Sequence, residues 1–326
     1  MRSEITATGP RVSIGLPVYN GENYLADTLD SILAQTFRDF ELIVSDNAST
    51  DATEAICRKY AARDPRIRYV RSSENLGAAK NYNRAFQLAK GEYFKWNGHD
   101  DPLAPTFLER CVEVLDRDPE ILLCFARIRA IGADGEEHGV GALTARTFAP
   151  KPQLGSPQAH VRFYHTVVAD HPQGAIFGLI RRSVLARTAL IGGYRSSDLP
   201  LLGELALRGR FHQIPEALQN RRFHPQQGRN VYRTRQLREA WFDPARSQTR
   251  SHHHWRLLQE HLAAIRRAAP DGQTRSYCYG YMAVWVIKYV CVRAPLKTVL
   301  GRPYRFVKST GAPDRVVRLL SRYLGT

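Results

Sequence analysis

The sequence predicts an α/β protein with a doubly wound, mostly parallel sheet and a mainly helical C-terminal region. Short apolar runs alternate with amphipathic stretches over residues 11–128. Several of these runs end in polar turn residues. After about residue 229 the composition turns rich in Arg, Tyr, Trp and His. A chain of 326 residues with 43% hydrophobic and 10% aromatic content can bury a large core, which excludes a disordered protein.

Residues 11–18 (RVSIGLPV) read as the first strand, and residues 22–35 as a helix whose Leu25, Leu29, Ile32 and Leu33 share one face. FELIVS (40–45) is the next strand. Asp51 and Glu54 have the spacing of a capping pair, which predicts a helix through Tyr60. RIRYVRS (66–72) is a strand, 76–90 a helix, EYFKWN (92–97) a strand, 103–116 a helix, and EILLCFARI (120–128) a strand. Residues 132–158 dissolve into Gly, Pro, Thr and Glu and read as a long loop. GAIFGLIRR (174–182) resumes as strand, with helices near 182–190 and 199–208. A sheet-containing domain is therefore expected over residues 1–229 and a mainly helical region over 230–326.

Lys and Arg outnumber Asp and Glu by 47 to 31, a net charge of +16 that suits anionic partners. The basic residues are spread along the chain without a recognition motif, so nucleic acid is not the expected partner. Five widely spaced cysteines form no CxxC pair, which points away from a zinc site or disulfide framework and toward a reducing cytoplasm. The N-terminus, MRSEITATGP, lacks the apolar core of a signal peptide. YCYGYMAVWVIKYVCV (277–292) is interrupted by Lys288 and shorter than the ~20 residues that span a bilayer, so a buried or interfacial helix is expected.

Three separated segments place polar residues at strand ends: PVYNGE (17–22), SDNASTD (45–51) and GHDD (98–101). In a parallel sheet these ends share one edge, and their loops converge on a crevice. Asp100 and Asp101 stand side by side there. Two like charges in contact need a cation, a ligand or solvent to be tolerable.

VSIGLPVYNGENYLADTLDSILAQTFRDFELIVSDNASTD, then NLGAAKNYNRAF, then GEYFKWNGHDD, resembles family 2 glycosyltransferases of the GT-A fold over roughly residues 10–225. The resemblance implies transfer of a sugar from a nucleotide-sugar with inversion, commonly in bacterial surface-polysaccharide assembly. By position, Pro17 and Tyr19 correspond to residues lining the base, and Asp46 to the acid on the base edge, a role suited to an acceptor-only carboxylate. Asp51 is explained by capping alone. Glu22 lies where relatives contact ribose and is equally well explained as a first-turn helix acid. Asn75 and Lys80 correspond to ribose and diphosphate contacts, lysine being a compact charge for phosphate.

Asp100 and Asp101 correspond to the motif that holds Mn²⁺ or Mg²⁺ against the donor diphosphate, where hard oxygen ligands suit such ions. Gly98 stands where many relatives carry another aspartate, and His99 has either a surface, a donor-contact or a supplementary ligand role. In GGYRSSDLPLLGELALRGRF, Asp198 corresponds to the general base, with Ser197 in place of a preceding acid. The same Ser-Asp pair also suits a helix N-cap. In RRFHPQQGRN, His224 corresponds to a histidine that reaches the metal beside Asp101, while Arg221 or Arg222 faces phosphate. SHHHW (251–255) lies outside the resemblance and reads as exposed helix surface.

The expected protein is thus a metal-dependent glycosyltransferase using a nucleotide-sugar, with UDP the expected nucleotide, and a saccharide or lipid-linked acceptor. Helices mixing apolar and cationic residues, such as 282–292 and DRVVRLLSRYLG, suit a peripheral position on an anionic membrane surface. Packing on the catalytic domain explains them equally well. Two alternatives stand beside the enzyme: an inactive nucleotide-sugar-binding module, and a sugar nucleotidyltransferase, which PVYNGE disfavours because it is no Gly-rich basic loop.

Overall fold

The structure, a computed structural model, describes residues 9–139, 151–172, 174–246 and 253–291. In chain order its main elements begin with β1 (Val12–Val18), α1 (Leu25–Leu33), β2 (Phe40–Asp46), α2 (Thr53–Ala61), β3 (Ile67–Arg71), α3 (Ala78–Gln87), β4 (Tyr93–Trp96), α4 (Phe107–Arg117) and β5 (Ile121–Ile131). They continue with α5 (Ala159–Tyr164), β6 (Leu179–Arg181), α6 (Arg182–Leu185), α7 (Asp198–Arg208) and β7 (Arg210–Arg222). The last are α8 (Gly228–Val231), α9 (Arg235–Phe242), α10 (His253–Ala268) and α11 (Gly272–Val286).

The seven strands form one sheet in the order β3-β2-β1-β4-β6-β5-β7. The first four are mutually parallel, and β6 runs antiparallel to both β4 and β5. All seven residues of β1 are buried, as expected for a central strand covered on both faces. The apolar stripe of α1 (Leu25, Leu29, Ile32) joins β1, β2 and α4 in one core, where each fully buried Leu or Ile contributes about 1.5–3 kcal/mol. Along β4 the side chains alternate. Phe94 and Trp96 meet Phe86 of α3 at 5.1 and 6.3 Å, while Lys95 faces the Phe107 ring of α4 at 5.0 Å.

The alternating α/β reading holds, with local differences that have physical causes. Gly77 has φ +82, a left-handed conformation that no α-helix contains, so α3 begins only at Ala78. The helix expected from residue 103 begins at Phe107, because Leu103 bridges to Gln219 and the chain must pass Pro105. The strand expected over 174–182 is three residues long. A 3₁₀ turn (Ala175–Phe177) precedes it, and a side chain on Gly178 would meet the Cys124 carbonyl at 2.6 Å. The helix near 182–190 is the single turn α6. The capping pair is different in detail: Ala52 is the N-cap of α2, and Asp51 instead accepts from the Thr53 and Glu22 amides. The thirteen-residue β7 has no counterpart in the sequence reading.

By contacts the chain divides into two compact units, each drawn from three stretches of sequence. The first comprises residues 1–150, 173–195 and 211–249 and holds the sheet. The second comprises 151–172, 196–210 and 250–326. The change of composition near residue 229 falls inside the first unit, at α8. In the second unit α7 is buried from Pro200 to Leu207 and packs on α5 and α10. Buried Arg162 of α5 ties it down by donating to the carbonyls of Ala206, Ser156 and Pro157. The apolar stretch expected as one helix over 277–292 is helical to Val286 and continues as a π-turn over Ile287–Cys291; residue 292 and the DRVVRLLSRYLG segment lie outside the described residues. Of SHHHW, residues 251–252 lie outside them too, and of the rest only Trp255 is exposed.

Candidate active site

Parallel register sets the site. Val18 pairs with Asp46 and Gly15 with Trp96, so the segments after β1, β2 and β4 leave the sheet at one edge. Between them lies a cavity of about 340 Å³. Pro17, Tyr19, Asn75, Asp100 and Asp101, all singled out from the sequence, line it.

Other expected residues stand behind the wall. Asp46 is fully buried; one oxygen accepts from the Ser49 amide (2.9 Å) and the other from the Tyr69 hydroxyl (2.6 Å), with Arg71 at 3.6 Å. Glu22 accepts from the Ala52 amide while its own amide donates to Asp51, a clasp between the first two loops. Lys80 is exposed on the first turn of α3. Asn47, which the sequence reading passed over, ties two loops together: it donates to Asn75 Oδ1 (2.8 Å) and accepts from the Leu76 amide. Its signal was present, since an Asn after a buried strand end is a turn-forming residue with both a donor and an acceptor.

The paired aspartates are held from beneath. Lys95, wholly buried, donates to Asn97 Oδ1 (2.9 Å) and the Trp96 carbonyl, and Asn97 in turn donates to the Gly98 and Asp101 carbonyls. Burial pushes the Lys95 ammonium down to about 7. Asp101 Oδ1 accepts from the Arg222 amide at 2.9 Å, and Asp100 Oδ2 lies 3.0 Å from His224 Nε2. Burial, then the adjacent Asp100, push Asp101 up to about 7. Burial pushes Asp100 the same way, but the His224 hydrogen bond and the charges of His99 and His224 outweigh it and hold Asp100 below the usual carboxylate range. A side chain on Gly98 would stand 3.0 Å from an oxygen of each aspartate.

Adjacent residues of β7 point to opposite faces. Arg221 lines the cavity, whereas Arg222 is buried, donating to the Asp100 and Ala133 carbonyls and lying 4.8 Å over Tyr24. Of the two arginines left open by the sequence, only Arg221 lines the cavity. The far wall is aromatic: Trp241 of α9, stacked on Tyr232 at 5.6 Å, packs over Gly228.

Among the described residues no three His, Cys, Asp or Glu side chains stand together as a ready metal cage. The donor set nonetheless suits Mg²⁺ or Mn²⁺, which are commonly held by one or two carboxylates with substrate phosphates and water completing the shell. Two close carboxylates, one of them costly to ionise alone, fit that chemistry.

The sequence model described as glycosyl transferase family 2 matches residues 13–173, the stretch that builds most of this cavity. The chain carries a family 2 glycosyltransferase domain. An uncharacterised glycosyltransferase of Rickettsia typhi is 40% identical to it over 108 residues, 33% of each chain. An uncharacterised protein of Mycobacterium bovis is 37% identical over 145 residues, 40% of this chain and 42% of that one. These matches therefore span a third to two fifths of the relatives' length. Among solved structures, residues 1–349 of S. aureus TarS in complex with UDP-GlcNAc superpose with a TM-score of 0.61 at 18% identity, covering 94% of this chain and 82% of that one. That likeness shows the GT-A fold.

Asp198 opens α7 in the second unit, preceded by Ser197, whose buried hydroxyl has no hydrogen-bond partner among the described residues. No described helix is long and apolar enough to cross a membrane.

Proposed function

We propose that this chain is an inverting glycosyltransferase that moves a sugar from a UDP-sugar to a hydroxyl of a saccharide or lipid-linked acceptor, in the synthesis of cell-surface polysaccharide or glycolipid. The observation that carries the reading is the cavity where the segments after β1, β3 and β4 bring Tyr19, Asn75, Asp100 and Asp101 together. Pro17 and Tyr19 take the base. Asp46 is assigned the base edge: its two oxygens have about four acceptor sites and spend two on Ser49 and Tyr69. Asn75 and Glu22 are assigned the ribose, and Lys80 and Asp100 the diphosphate.

Asp198 acts as the base. It takes the proton of the acceptor hydroxyl as that oxygen forms its bond to the anomeric carbon, and the bond from that carbon to the diphosphate oxygen breaks with its electron pair leaving on UDP. An aspartate of ordinary pKa, ~3.9, accepts this proton only late, when the C–O bond is largely made. Asp101 and His224 would hold Mn²⁺ or Mg²⁺, which when bound neutralises charge on the leaving diphosphate. Binding and orientation then supply much of the rate. The C-terminal helices would place the enzyme as a peripheral protein on the cytoplasmic, anionic face of a membrane.

The test is turnover with a panel of UDP-sugars, chosen by thermal shift with and without Mn²⁺. Asp198→Asn is expected to abolish transfer while UDP binding persists. UDP binding by the unaltered protein with no donor transferred or hydrolysed would instead establish a binding module, the reading that Gly98 and Ser197 favour. Flotation with anionic vesicles at low salt checks the membrane assignment; absence of co-flotation removes it.

A further inference from the structure

His99 has no assigned role, yet the fold goes to some length to seat it. Its imidazole lies against Gly21, where an added Cβ would come within 2.6 Å of His99 Cδ2 and 2.7 Å of a Val18 methyl. Any side chain at position 21 would displace the ring. The ring lines the cavity, and neither nitrogen hydrogen-bonds to a described residue. Arg221 also lines the cavity, and its guanidinium likewise makes no hydrogen bond to a described residue. An imidazole N–H and a guanidinium fork, both free and both beside the Asp100–Asp101 turn, form an anion seat.

The neighbouring carboxylates leave that seat usable. Asp100 is engaged by His224 and Asp101 by the Arg222 amide. The buried ammonium of Lys95 lies behind Asp101, and Gly98 contributes no third carboxylate. Both carboxylates of the turn therefore already have partners within the fold.

We propose that His99 and Arg221 bind the donor diphosphate directly, so that a nucleoside diphosphate binds this site without a divalent cation. This rests on the nucleotide-sugar reading of the cavity. A cation then contributes to bond breaking and little to binding.

Calorimetric titration with UDP and with uridine, in EDTA and again with Mn²⁺, tests it. In EDTA, UDP is expected to bind at least about tenfold more tightly than uridine, the scale of one charge-assisted hydrogen bond. His99→Ala should remove about tenfold of UDP affinity and leave uridine unchanged, and Arg221→Gln should do the same. Gly21→Ala, which displaces the ring without touching its chemistry, should reproduce the His99→Ala loss and add nothing in the double variant. Thermal melts confirm that each variant is folded. Equal affinity for UDP and uridine in EDTA, with the preference restored by Mn²⁺, overturns the proposal and leaves the nucleotide reading intact. Unchanged UDP binding by folded His99→Ala also overturns it. Binding of neither compound under any condition refutes the nucleotide reading itself, and this inference with it.

Discussion

His261 of α10 is expected to make the second unit acid-labile. The side chain is fully buried, and both ring nitrogens lack a hydrogen-bond partner. It stands edge-on to Phe163 (6.4 Å) and near Trp285 (5.9 Å), and a Cβ at Gly203 of α7 would lie 3.7 Å from its Nδ1. Burial, with a smaller contribution from His171, pushes the imidazole down from 6.5 to about 3. The unfolded chain therefore takes up a proton between pH 6.5 and 3 that the folded chain refuses. The resulting stability is complete above pH 6.5 and falls as the solution is acidified. From these two values the loss between pH 8 and pH 5 is about 2 kcal/mol, approaching about 5 kcal/mol below pH 3. For a protein of 326 residues 2 kcal/mol corresponds to roughly 3 °C of melting temperature. Urea unfolding of the wild type and of His261→Leu at pH 8 and pH 5 measures it. The variant, whatever its absolute stability, should lose about 2 kcal/mol less than the wild type on acidification. Parallel losses would mean that the ring is solvated or partnered in solution and would refute the reasoning. Because α7 begins at Asp198 and rests on α10, the same acidification should loosen the helix that presents the proposed base.

Two further outcomes follow from charge. Gly98→Asp hangs a third carboxylate on a Cβ that itself stands 3.0 Å from an oxygen of each aspartate, so the cation-free variant should be less stable than Gly98→Ala by about 1–3 kcal/mol. Its melting temperature should rise more with Mn²⁺ than that of the wild type; equal shifts in a fluorimetric melt would show that the added acid does not reach the ion. Glu204, 1% exposed, bonds Arg208 at 2.8 Å and Arg267 at 2.7 Å. Glu204→Ala should cost about 2–4 kcal/mol in chemical denaturation, at the lower end of buried-pair losses because Arg267 can turn to solvent, and a cost under 1 kcal/mol would contradict the clamp.

The sheet was legible because its strands bury both faces and its helices one stripe, so apolar runs and helical periods separate cleanly along residues 12–117. The convergence of loops followed from parallel strand order alone. What failed to show were features set by partners distant in sequence. The burial of Asp46 is one of them, since pairing of β2 with β3 brings Tyr69 and Arg71 over it. β7 escaped notice because Pro215 and intermittent burial (Phe211, Ile214, Gln219, Arg222) blur its alternation, as is common at a sheet edge. Trp241 carries no motif, and only the fold brings α9 to the cavity. The choice between Arg221 and Arg222 could not be made without knowing that both sit on a strand.

Lys95 gives the GHDD turn a physical rationale that motif matching does not. An ammonium in an otherwise apolar strand is costly, since removing such a charge from water requires compensation from its surroundings. Its compensation is partial: two hydrogen bonds, the face of Phe107, and the charge of Asp101. The return is local order, because the Asn97 side chain fixed by Lys95 holds the Gly98 and Asp101 carbonyls and with them the spacing of the two carboxylates. A third aspartate at position 98 would add a negative charge and call for a tightly held cation. Here the absent carboxylate and the buried lysine shift the turn toward neutrality together. A site balanced in that way has less need of an ion to admit a diphosphate, which is the electrostatic condition under which His99 and Arg221 can act on their own.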